Sequence, residues 1–572
     1  MKSLLRRFTG FGISLLGSIF LGTGCGQKEE PVYEEFLVVD VFDTLANYQG
    51  LQSGWYAKLI REKFNMQFNI IAPNVAGGGD TLYQMRVTSG NLGDIIICSG
   101  ERGDLQNMIN AGLLYDMSSL LEGKEILAYR KAIESLQESV AQEGIYAIPS
   151  EVSRLSADTP SEALEPNYGP YLRWDIYKKI GYPQITDLDS LLEVLEQMQK
   201  AAPVADNGNK TYAFSLFKDW DGNLMSNAKQ PGCFYGYDEI GFVLAKADGS
   251  DYQDILEKDS WYLKALRLFY EANRRGLLDP DSPVQNYEEL FEKYQQGEVL
   301  FSFWPWLGQS AYNTEEHTRE GKGFMAAPMA DMQIFSYGCN PEGNHKLLIA
   351  IGSQAKDPER LADFIDWLYS PEGIMISGAK RSGGMAGPQG LTWEIQDGMP
   401  VLTEFGRRAF YSSEAQLPEE WGAGKWSDGL CELNYSPVAQ AEISPSGFSY
   451  AYSLWDSVRS EEETTLQREW KEYMDAEHTM DYLKKNGQLL VAPGCSFAIP
   501  EESMEIAAKR SQCKNVIVDS SWKLVYAASE EEFQKIYREM VTAANDLGYQ
   551  DVLALDLENA RLQNEYREKA LR

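Results

Sequence analysis

The sequence predicts an α/β fold that ends in a helix-rich region. Residues 36–98 alternate apolar runs of strand length with apolar positions at helical spacing, and a second α/β region follows the strand-like segment YAIPS at 146–150. This alternation is typical of a parallel sheet covered by helices on both faces. Residues 458–572 carry many charges in a helical pattern, with one strand-like segment, VIVDSSWKLVYA, at 516–527.

The first α/β region contains three predicted strands, FLVVDVF (36–42), FNIIA (68–72) and DIIIC (94–98). Between the first two, apolar residues recur at helical spacing at Trp55, Leu59, Ile60 and Phe64. The run GGGD at 77–80 then breaks the chain, and Asp80 is the predicted N-cap of the next helix. Because this run lacks the glycine spacing of a phosphate-binding loop, we interpret it as a turn.

Two helices of the second region have recognisable starts. Thr186 and Asp189 are spaced as a capping box. After the strand-like run LLIAIGS (347–353), Asp357 provides a cap and Pro358 a residue suited to the first helical position. Each start precedes an apolar stripe that predicts a buried face: Leu188, Leu191, Leu192, Leu195 and Met198 in one helix, and Leu361, Phe364, Ile365 and Leu368 in the other.

The composition excludes several classes of function. The 572 residues, 44% of them hydrophobic, can bury a large core, which excludes a disordered scaffold. A formal net charge of −33 disfavours binding to nucleic acid or to an anionic membrane surface. Since the cysteines form no C-x-x-C pair and the three histidines are isolated, we expect no zinc site, and we predict no metal and no cofactor.

Residues 1–24 have the features of an export signal. Three basic residues precede an apolar run at 11–21 that is too short to span a bilayer comfortably. The run ends in LGTGC at 21–25, which resembles the lipobox of bacterial lipoproteins and implies cleavage before Cys25 and lipidation of its thiol. Residues 25–35 then form a tether at the extracellular face of the membrane. An ordinary secretory signal with an incidental cysteine is the alternative.

Six segments in a fixed order carry a wider resemblance. They are NLGDIIICSGERGDLQNMINAGLLYDMSSLL (91–121), YLRWDIYKKIGYPQITDLDSLLEVLEQMQKA (171–201), YEANRRGLLDPDS (270–282), GEVLFSFWPW (297–306), KLLIAIGSQAKDPERLADFIDWLYSPEG (346–373) and AGPQGLTWEIQDGMPVLTEFG (386–406). Together they resemble bacterial extracellular solute-binding proteins of family 1, the sugar-type receptors of ABC importers. The last segment narrows the resemblance to long lipoproteins that look like oligosaccharide or aldouronate receptors.

The resemblance implies a two-lobed, type II periplasmic-binding-protein-like α/β fold with discontinuous lobes joined by a hinge. We predict lobe 1 at 36–150 and 340–405 and lobe 2 at 151–339 and 406–572, with crossings near 146–151 and 337–343. The implied function is non-catalytic: a monomeric protein captures a carbohydrate, in particular an oligosaccharide, by lobe closure and delivers it to the permease subunits of an ABC transporter.

A sugar receptor needs aromatic rings for the C–H faces of the sugar and polar side chains for its hydroxyls. Trp304 and Trp306 flank Pro305 at the end of the predicted strand GEVLFSF, and an extended chain directs residues i and i+2 to one side. Trp306 also falls at the position where the family has a stacking tryptophan. The alternative is that one of the two rings belongs to the core.

Polar candidates follow other predicted elements. Glu101 and Arg102 follow the strand at 94–98, at the position of ligand contacts in the family, with a solvated surface ion pair as the alternative. Glu151 follows the first crossing strand, where relatives often place a carboxylate on sugar hydroxyls; a structural role is equally compatible. Arg173 lies in the family's Arg-x-Asp motif, where arginine can face the cleft. A salt bridge with Asp175 at the helix start is the alternative.

Further tryptophans and one loop complete the candidates. Trp55 is compatible with the cleft and with a core stripe, and Trp220, Trp421 and Trp426 are similarly ambiguous. Some long relatives carry an Asp-rich calcium loop where this chain has ADNGNKTYAF (205–214). Because calcium requires six to eight oxygens, and Asp206 is the only carboxylate before Lys210, the sequence argues against a calcium site.

Two other classes of function remain open. The chain has 85 acidic residues, which could supply the carboxylate pair of a surface carbohydrate-active enzyme, although no pair is identified by spacing. A lipoprotein that senses glycans without transporting them could use the same fold.

Overall fold

The computed structural model of the chain describes residues 32–76, 79–380, 384–412, 414–460, 463–494 and 496–572. The predicted export signal and Cys25 lie outside these ranges. The strands in this part of the chain are β1 (Leu37–Asp43), β2 (Gly50–Leu51), β3 (Met66–Ile71), β4 (Ile95–Cys98), β5 (Ile148–Ser150), β6 (Tyr171–Arg173), β7 (Tyr237–Ile240), β8 (Val243–Lys246), β9 (Tyr252–Asp254), β10 (Phe301–Ser302), β11 (Phe324–Ala326), β12 (Ile334–Tyr337), β13 (Asn344–Ile351), β14 (Trp393–Gln396), β15 (Met399–Leu402) and β16 (Leu489–Ala492).

Helices cover the sheets and make up most of the C-terminal region. They are α1 (Gly54–Phe64), α2 (Pro73–Ala76), α3 (Gly79–Thr88), α4 (Asp104–Asn110), α5 (Arg130–Glu138), α6 (Trp174–Lys179), α7 (Leu188–Ala201), α8 (Ser226–Cys233), α9 (Trp261–Arg274), α10 (Tyr287–Gln295), α11 (Pro305–Tyr312), α12 (Glu315–Arg319), α13 (Pro358–Leu368), α14 (Pro371–Ser377), α15 (Glu404–Tyr411), α16 (Asp456–Arg459), α17 (Thr465–Met474), α18 (Thr479–Lys485), α19 (Met504–Val525), α20 (Glu530–Asp546) and α21 (Tyr549–Ala570).

The largest sheet has six strands in the order β2-β3-β1-β4-β13-β5. β1 is parallel to β3 and β4, whereas β13 is antiparallel to both β4 and β5. It follows that β1, β3, β4 and β5 all end at one edge of the sheet, which we call the carboxyl edge, and that β13 begins there. The strands predicted at 36–42, 68–72, 94–98 and 146–150 are confirmed, with ends that differ by one or two residues.

Of the three predicted helix starts, that of α13 is confirmed, that of α7 is shifted by one residue, and that of α3 is wrong, because α3 begins at Gly79 and Asp80 lies inside it. Pro358 is the first residue of α13, and the Asp357 side chain accepts from the Arg360 N–H. The capping box of α7 uses Asp187 and Ser190 instead of Thr186 and Asp189. The Ser190 N–H donates to the Asp187 carboxylate at 2.8 Å, and the Asp187 N–H donates to the Ser190 hydroxyl at 3.0 Å. The capping box therefore lies one residue later in the chain than predicted.

The strand-like reading of residues 516–527 is wrong, because most of this segment belongs to the 22-residue helix α19. Its buried positions, Cys513, Ile517, Ser521 and Leu524, recur every three or four residues. These positions form a helical face, and α19 packs with that face against α9, α20 and α21. Burial along one helical face therefore outweighs the strand propensity of the β-branched residues in the segment.

Two large hydrophobic cores divide the chain. The first contains buried residues between Val39 and Val152 and between Ile349 and Trp455, and the second contains buried residues between Tyr171 and Ile334 and between Leu466 and Ala560. We call the parts built on them lobe 1 and lobe 2. The isolated bridges Val152–Asn340 and Pro160–Gly338 hold two of the crossing segments side by side.

The segment 406–458 differs from the predicted lobe division. The predicted division assigns this segment to lobe 2, but its buried side chains, including Phe410, Trp426 and Trp455, belong to the first core. Trp426 stacks on Trp55 with ring centroids 4.5 Å apart and an interplanar angle of 4°. The aromatic burial of this segment therefore returns the chain to lobe 1 before α17 enters the second core.

Five cysteines of the described residues are buried free thiols: Cys98, Cys233, Cys339, Cys431 and Cys513. Within the same ranges, no helix has both the length and the apolar content that a membrane crossing requires.

Candidate ligand-binding cleft

The carboxyl edge of the six-stranded sheet forms one wall of the candidate site. Beyond β1, the Leu45 side chain is 50% exposed. Asn434 is fixed at the same edge, because its N–H donates to the Asp43 carboxylate at 2.8 Å and its side-chain amide donates to the Leu45 carbonyl at 2.8 Å. Glu101 follows β4 and Glu151 follows β5, so the strand directions bring both carboxylates to this edge.

Glu151 lies where the chain leaves lobe 1. Its backbone is in the left-handed region, with φ of 49°, and its N–H donates to the Ser436 carbonyl at 2.8 Å. The side chain is exposed, yet the surrounding protein desolvates the carboxyl and raises its pKa, while a hydrogen bond from Asn344 at 2.8 Å acts in the opposite direction. An accessible but partly desolvated carboxylate is what the floor of a cleft presents.

Glu101 and Arg102 have different surroundings. The Glu101 side chain is partly exposed, and its carboxylate makes no hydrogen bond or ion pair with the described residues. The Arg102 guanidinium instead lies 3.4 Å from the Glu502 carboxylate of lobe 2. Of the two, Glu101 is therefore the one available to a ligand.

The rings of four aromatic residues of lobe 2 pack against one another in a cluster that we call the aromatic platform: Trp220, Tyr287, Trp304 and Trp306. Ring centroids lie 5.1 Å apart for Trp304 and Trp306, 5.7 Å for Trp220 and Trp306, and 5.1 Å for Trp220 and Tyr287. Trp306 is 39% exposed, whereas Trp304 is 3% exposed. Trp304 thus belongs to the core and supports the Trp306 ring, which matches the alternative that one of the two tryptophans is a core residue.

The local backbone differs from the predicted long strand. Only Phe301–Ser302 is strand, and Pro305 is the first residue of α11. Proline suits this position because its ring presets a helical φ and the missing N–H is not needed in the first turn. Trp306 therefore projects from the start of a helix, close to the end of β10.

The aromatic platform lies at the end of the lobe 2 sheet that is nearer to lobe 1. The Gly169 N–H donates to the Phe303 carbonyl at 2.9 Å, which places Tyr168 beside the Trp304 end of the sheet. Tyr168 also packs in the same small cluster as Tyr337, which lies at a crossing between the lobes. The platform therefore lies at the end of this sheet close to Tyr168, which packs beside a crossing segment.

The remaining candidates lie away from this region. Arg173 is buried at the opposite end of β6, where its guanidinium pairs with Asp175 at 2.9 and 3.0 Å and lies over the Tyr312 ring. Trp55 is 1% exposed in the first core, stacked on Trp426. Trp421 packs partly buried on the same core. Arg173 therefore forms the salt bridge at the helix start that was its alternative role, and Trp55 belongs to the core stripe that was its alternative role.

Comparisons with known proteins connect this geometry with a family. The model of the family described as bacterial extracellular solute-binding protein matches residues 50–375, more than half of the chain. The chain belongs to this family. No curated protein matches the solute-binding protein in sequence.

Solved structures show the same two-lobed fold. The Streptococcus pneumoniae ABC-transporter substrate-binding protein FusA in complex with kestose is 16% identical, with a TM-score of 0.60, over 93% of this chain and 100% of that chain. The alginate-binding protein AlgQ2 is 15% identical, with a TM-score of 0.60, over 94% and 100%. An HMO-binding solute-binding protein from Bifidobacterium longum infantis is 12% identical, with a TM-score of 0.54, over 94% and 99%.

Sequence reasoning missed Leu45, Tyr287 and Asn434 as neighbours of the candidate site. Tyr287 begins α10 far along the chain from Trp220, and nothing in the local pattern of either residue indicates that their rings stack. Asn434 lies in the segment that the predicted lobe division placed in lobe 2. Asn434 could have been predicted beside the site only if this segment had been assigned to lobe 1.

The segment 205–214 of the solute-binding protein forms a hydrogen-bonded loop. The side-chain amides of Asn207 and Asn209 each donate to Glu298 Oε1 at 2.7 Å. Asp206 instead accepts from the Tyr312 hydroxyl at 3.3 Å. Among the described residues, no three His, Cys, Asp or Glu side chains gather closely enough to hold a metal ion.

Glu162 is a buried carboxyl beside the crossing at β12. Its Oε2 accepts from the Ser336 hydroxyl at 2.6 Å, and its Oε1 has no hydrogen-bond partner. Desolvation raises the pKa of this carboxyl to about 7, from an ordinary value of 4.5. Because the folded state holds the proton more tightly than the unfolded state, the stability that this group contributes is fully present below pH 4.5 and is lost as the pH rises through about 7.

We expect the Glu162→Gln variant to lose less stability than the wild type between pH 4.5 and pH 8. Glutamine keeps an acceptor for Ser336 and never ionises, so the difference should be about 3 kcal/mol. Urea unfolding at several pH values measures it. Glu531→Gln, on the exposed face of α20, is the matched control and should follow the wild type. Parallel pH profiles for Glu162→Gln and the wild type would contradict the expectation.

Proposed function

We propose that this solute-binding protein is a membrane-anchored extracellular receptor that captures a neutral oligosaccharide between its lobes and delivers it to an ABC permease. The observation that carries the proposal is the exposed Trp306 of lobe 2, supported by Trp304 and Trp220, together with the accessible Glu101 and Glu151 at the carboxyl edge of lobe 1. The FusA complex with kestose and the HMO-binding protein, which share the fold, support a carbohydrate ligand.

The two walls suit the two kinds of surface that a sugar presents. The C–H face of a sugar ring packs on an indole, which supplies a large rigid apolar surface. The carboxylates of Glu101 and Glu151 accept hydrogen bonds from the hydroxyls at the ring edge, and such charge-assisted bonds are stronger than neutral ones. Closure of the lobes removes water from both sets of contacts and strengthens them.

The charge of the walls favours a neutral sugar over an acidic one. Glu101 and Glu151 are acidic, and Arg102, which follows Glu101 in the chain, is paired with Glu502. A uronate carboxylate placed between the walls meets like charges, which costs binding energy. A neutral oligosaccharide has no such cost, and the formal net charge of −33 does not affect its approach.

Incubation with a panel of oligosaccharides tests the proposal. The panel contains kestose, maltohexaose, xylohexaose, mannohexaose and an alginate hexamer, and each mixture is measured by thermal shift and by chromatography of the sugar. We expect a neutral member to raise the melting temperature and to be recovered intact. Release of shorter sugars would support the enzyme alternative instead, and a shift with the alginate hexamer alone would contradict a neutral ligand.

Transport and sensing differ in what the cell does with the ligand. Delivery to a permease predicts that deletion of the gene abolishes uptake of the radiolabelled panel member that binds. A sensor predicts normal uptake and a lost transcriptional response. The family, which consists of solute-binding proteins, favours delivery.

Anchoring through Cys25 has its own test. We expect the Cys25→Ser variant, expressed with its natural signal, to appear in the culture medium, because the thiol that carries the lipid is absent. Membrane fractionation and immunoblotting measure the distribution, and Cys98→Ser, which changes a buried thiol, is the control. A variant that remains in the membrane fraction would contradict lipid anchoring at this residue.

A further inference from the structure

The chain immediately before β1 packs on lobe 1 as a short segment, residues 33–36, which we call the docked segment. Arg360 Nη1 donates to the Glu35 carbonyl at 2.7 Å, and its guanidinium lies over the Tyr33 ring, 4.6 Å from the centroid. The Asn65 side-chain amide donates to the Tyr33 carbonyl at 3.0 Å. Because Arg360 belongs to α13 and Asn65 is the C-cap of α1, the docked segment is bound by both helices.

Two further contacts hold the aromatic side chains of the docked segment. The Tyr33 hydroxyl donates to the Asp363 carboxylate at 2.5 Å, and Asp363 also pairs with Lys124. The Arg61 guanidinium lies over the Phe36 ring, 4.6 Å from its centroid. Burial and the neighbouring carboxylate raise the pKa of Tyr33, so its hydroxyl remains a donor at neutral pH. Backbone and side chains together therefore fix the docked segment on lobe 1.

The docked segment lies at the edge of the six-stranded sheet opposite the carboxyl edge. It leads directly into β1, and the Leu37 N–H donates to the Asn65 carbonyl at 3.0 Å. β13 ends at the same edge, because it is antiparallel to β4, and α13 follows it. We call this the amino edge. The seven residues of β1, at about 3.3 Å each, separate it from the carboxyl edge by about 20 Å.

The chain between the predicted lipid attachment and the docked segment is short. Tyr33 follows Cys25 by eight residues, and an extended chain spans at most about 3.6 Å per residue, so its reach is at most about 29 Å. If Leu37 were the first fixed residue, the reach would be about 43 Å. The docked segment therefore shortens the connection between the lipid and lobe 1.

We infer that the amino edge of lobe 1 is the face of the protein held next to the lipid headgroups, with the docked segment as the point of attachment. The inference rests on the proposed anchoring through Cys25. A body held at one point lies, on average, closest to the surface at that point. The formal net charge of −33 repels anionic headgroups, so attachment rather than attraction selects this face. The candidate site, at the carboxyl edge, lies about one strand length from the attachment point.

Energy transfer to labelled lipids tests the inference on the full lipidated chain. A fluorescent label is placed at Glu359→Cys, an exposed position of α13 at the amino edge, or at Leu45→Cys beyond the carboxyl edge. Both proteins carry Cys495→Ser, because Cys495 lies outside the described residues. Vesicles of phosphatidylcholine and phosphatidylglycerol contain a rhodamine lipid as acceptor. We expect about twofold higher transfer from position 359 than from position 45, because about 20 Å separates the two edges.

The Tyr33→Ala variant tests the docked segment itself. Alanine keeps the chain length but removes the contacts with Arg360 and Asp363, so the connection lengthens. Transfer from position 359 should fall toward that from position 45. Tyr33 is only partly buried, and urea unfolding checks that lobe 1 is intact. Tyr566→Ala, which removes an exposed tyrosine on α21 of lobe 2, is the matched control and should keep the twofold difference.

Proteolysis of the purified chain in detergent gives a second readout that needs no membrane. A protease that cuts after glutamate acts on Glu34 and Glu35 only when the docked segment detaches from lobe 1. Tyr33→Ala should be cut there about fivefold faster than the wild type, the factor expected for the loss of one ordinary hydrogen bond. Mass spectrometry of the fragments measures the rate, and Tyr566→Ala should match the wild type.

Each other outcome overturns the inference. Equal transfer from the two labels in the wild type, or higher transfer from position 45, would contradict it while leaving the lipid anchor in place. Transfer from neither label would show that the chain is not anchored, so that the proposed anchoring fails and the inference with it. An unchanged cutting rate in Tyr33→Ala would show that these contacts do not hold the segment, which would contradict its role as the point of attachment.

Discussion

The Trp306→Ala variant is expected to bind the oligosaccharide about 10- to 100-fold more weakly than the wild type. Trp306 offers the exposed face of the aromatic platform, and Trp304 and Trp220 hold its ring from behind. Alanine removes the surface on which a sugar ring packs, and because Trp306 is itself 39% exposed, its loss leaves the buried core of lobe 2 in place. Isothermal titration calorimetry with the panel member that binds measures the loss.

The matched control for this variant is Trp421→Ala. Trp421 is also a partly buried tryptophan, but it lies in lobe 1 near Lys58 on the outer helix α1. Its replacement should leave affinity unchanged. Equal affinities for Trp306→Ala and the wild type would remove the aromatic platform from the site, whereas a loss only in Trp421→Ala would place the ligand elsewhere.

The second large effect concerns stability. Trp426→Ala should destabilise lobe 1 by about 3 kcal/mol, since a large core side chain is deleted and a cavity remains beside Trp55. Trp426 is 0% exposed and also contacts the rings of Phe405 and Phe410. We expect a value at the lower end for a tryptophan, because the buried indole N–H of Trp426 has no hydrogen-bond partner and its removal relieves that cost.

Hydrogen exchange locates the effect. Amides of β1 and α1, which share the first core with Trp426, should lose protection in Trp426→Ala, while those of α9 and α19 should keep theirs. Trp421→Ala, five residues away and partly exposed, should unfold near the wild-type urea midpoint. Loss of protection in α9 and α19 alone would contradict the assignment of the segment 406–458 to lobe 1.

Local patterns in the sequence were sufficient for many elements of the fold. The strands at 36–42 and 94–98 are short apolar runs, and the start of α13 at Pro358 follows from the chemistry of a cap and a proline. The segment 516–527 was misread because its β-branched residues suggest a strand, whereas its burial depends on α9 and α20, which are distant in sequence. Packing against distant elements is not present in a local pattern.

The candidate site was predictable only in part. Trp306 and Glu151 could be proposed because they follow recognisable elements, and both are accessible. Arg102 has the same kind of position, but its partner, Glu502, comes from a segment 400 residues further along the chain. The core role of Trp55 could not be predicted for the same reason, because its stacking partner Trp426 lies in a distant segment that packs in lobe 1.

A crystal structure of the solute-binding protein with the bound oligosaccharide tests directly whether the sugar lies between the two lobes. We expect a sugar ring stacked on Trp306, with hydroxyls within hydrogen-bond distance of Glu101 and Glu151 and with the lobes closer together than without ligand. A sugar bound outside the region between the lobes, with Trp306 still exposed to solvent, would contradict it.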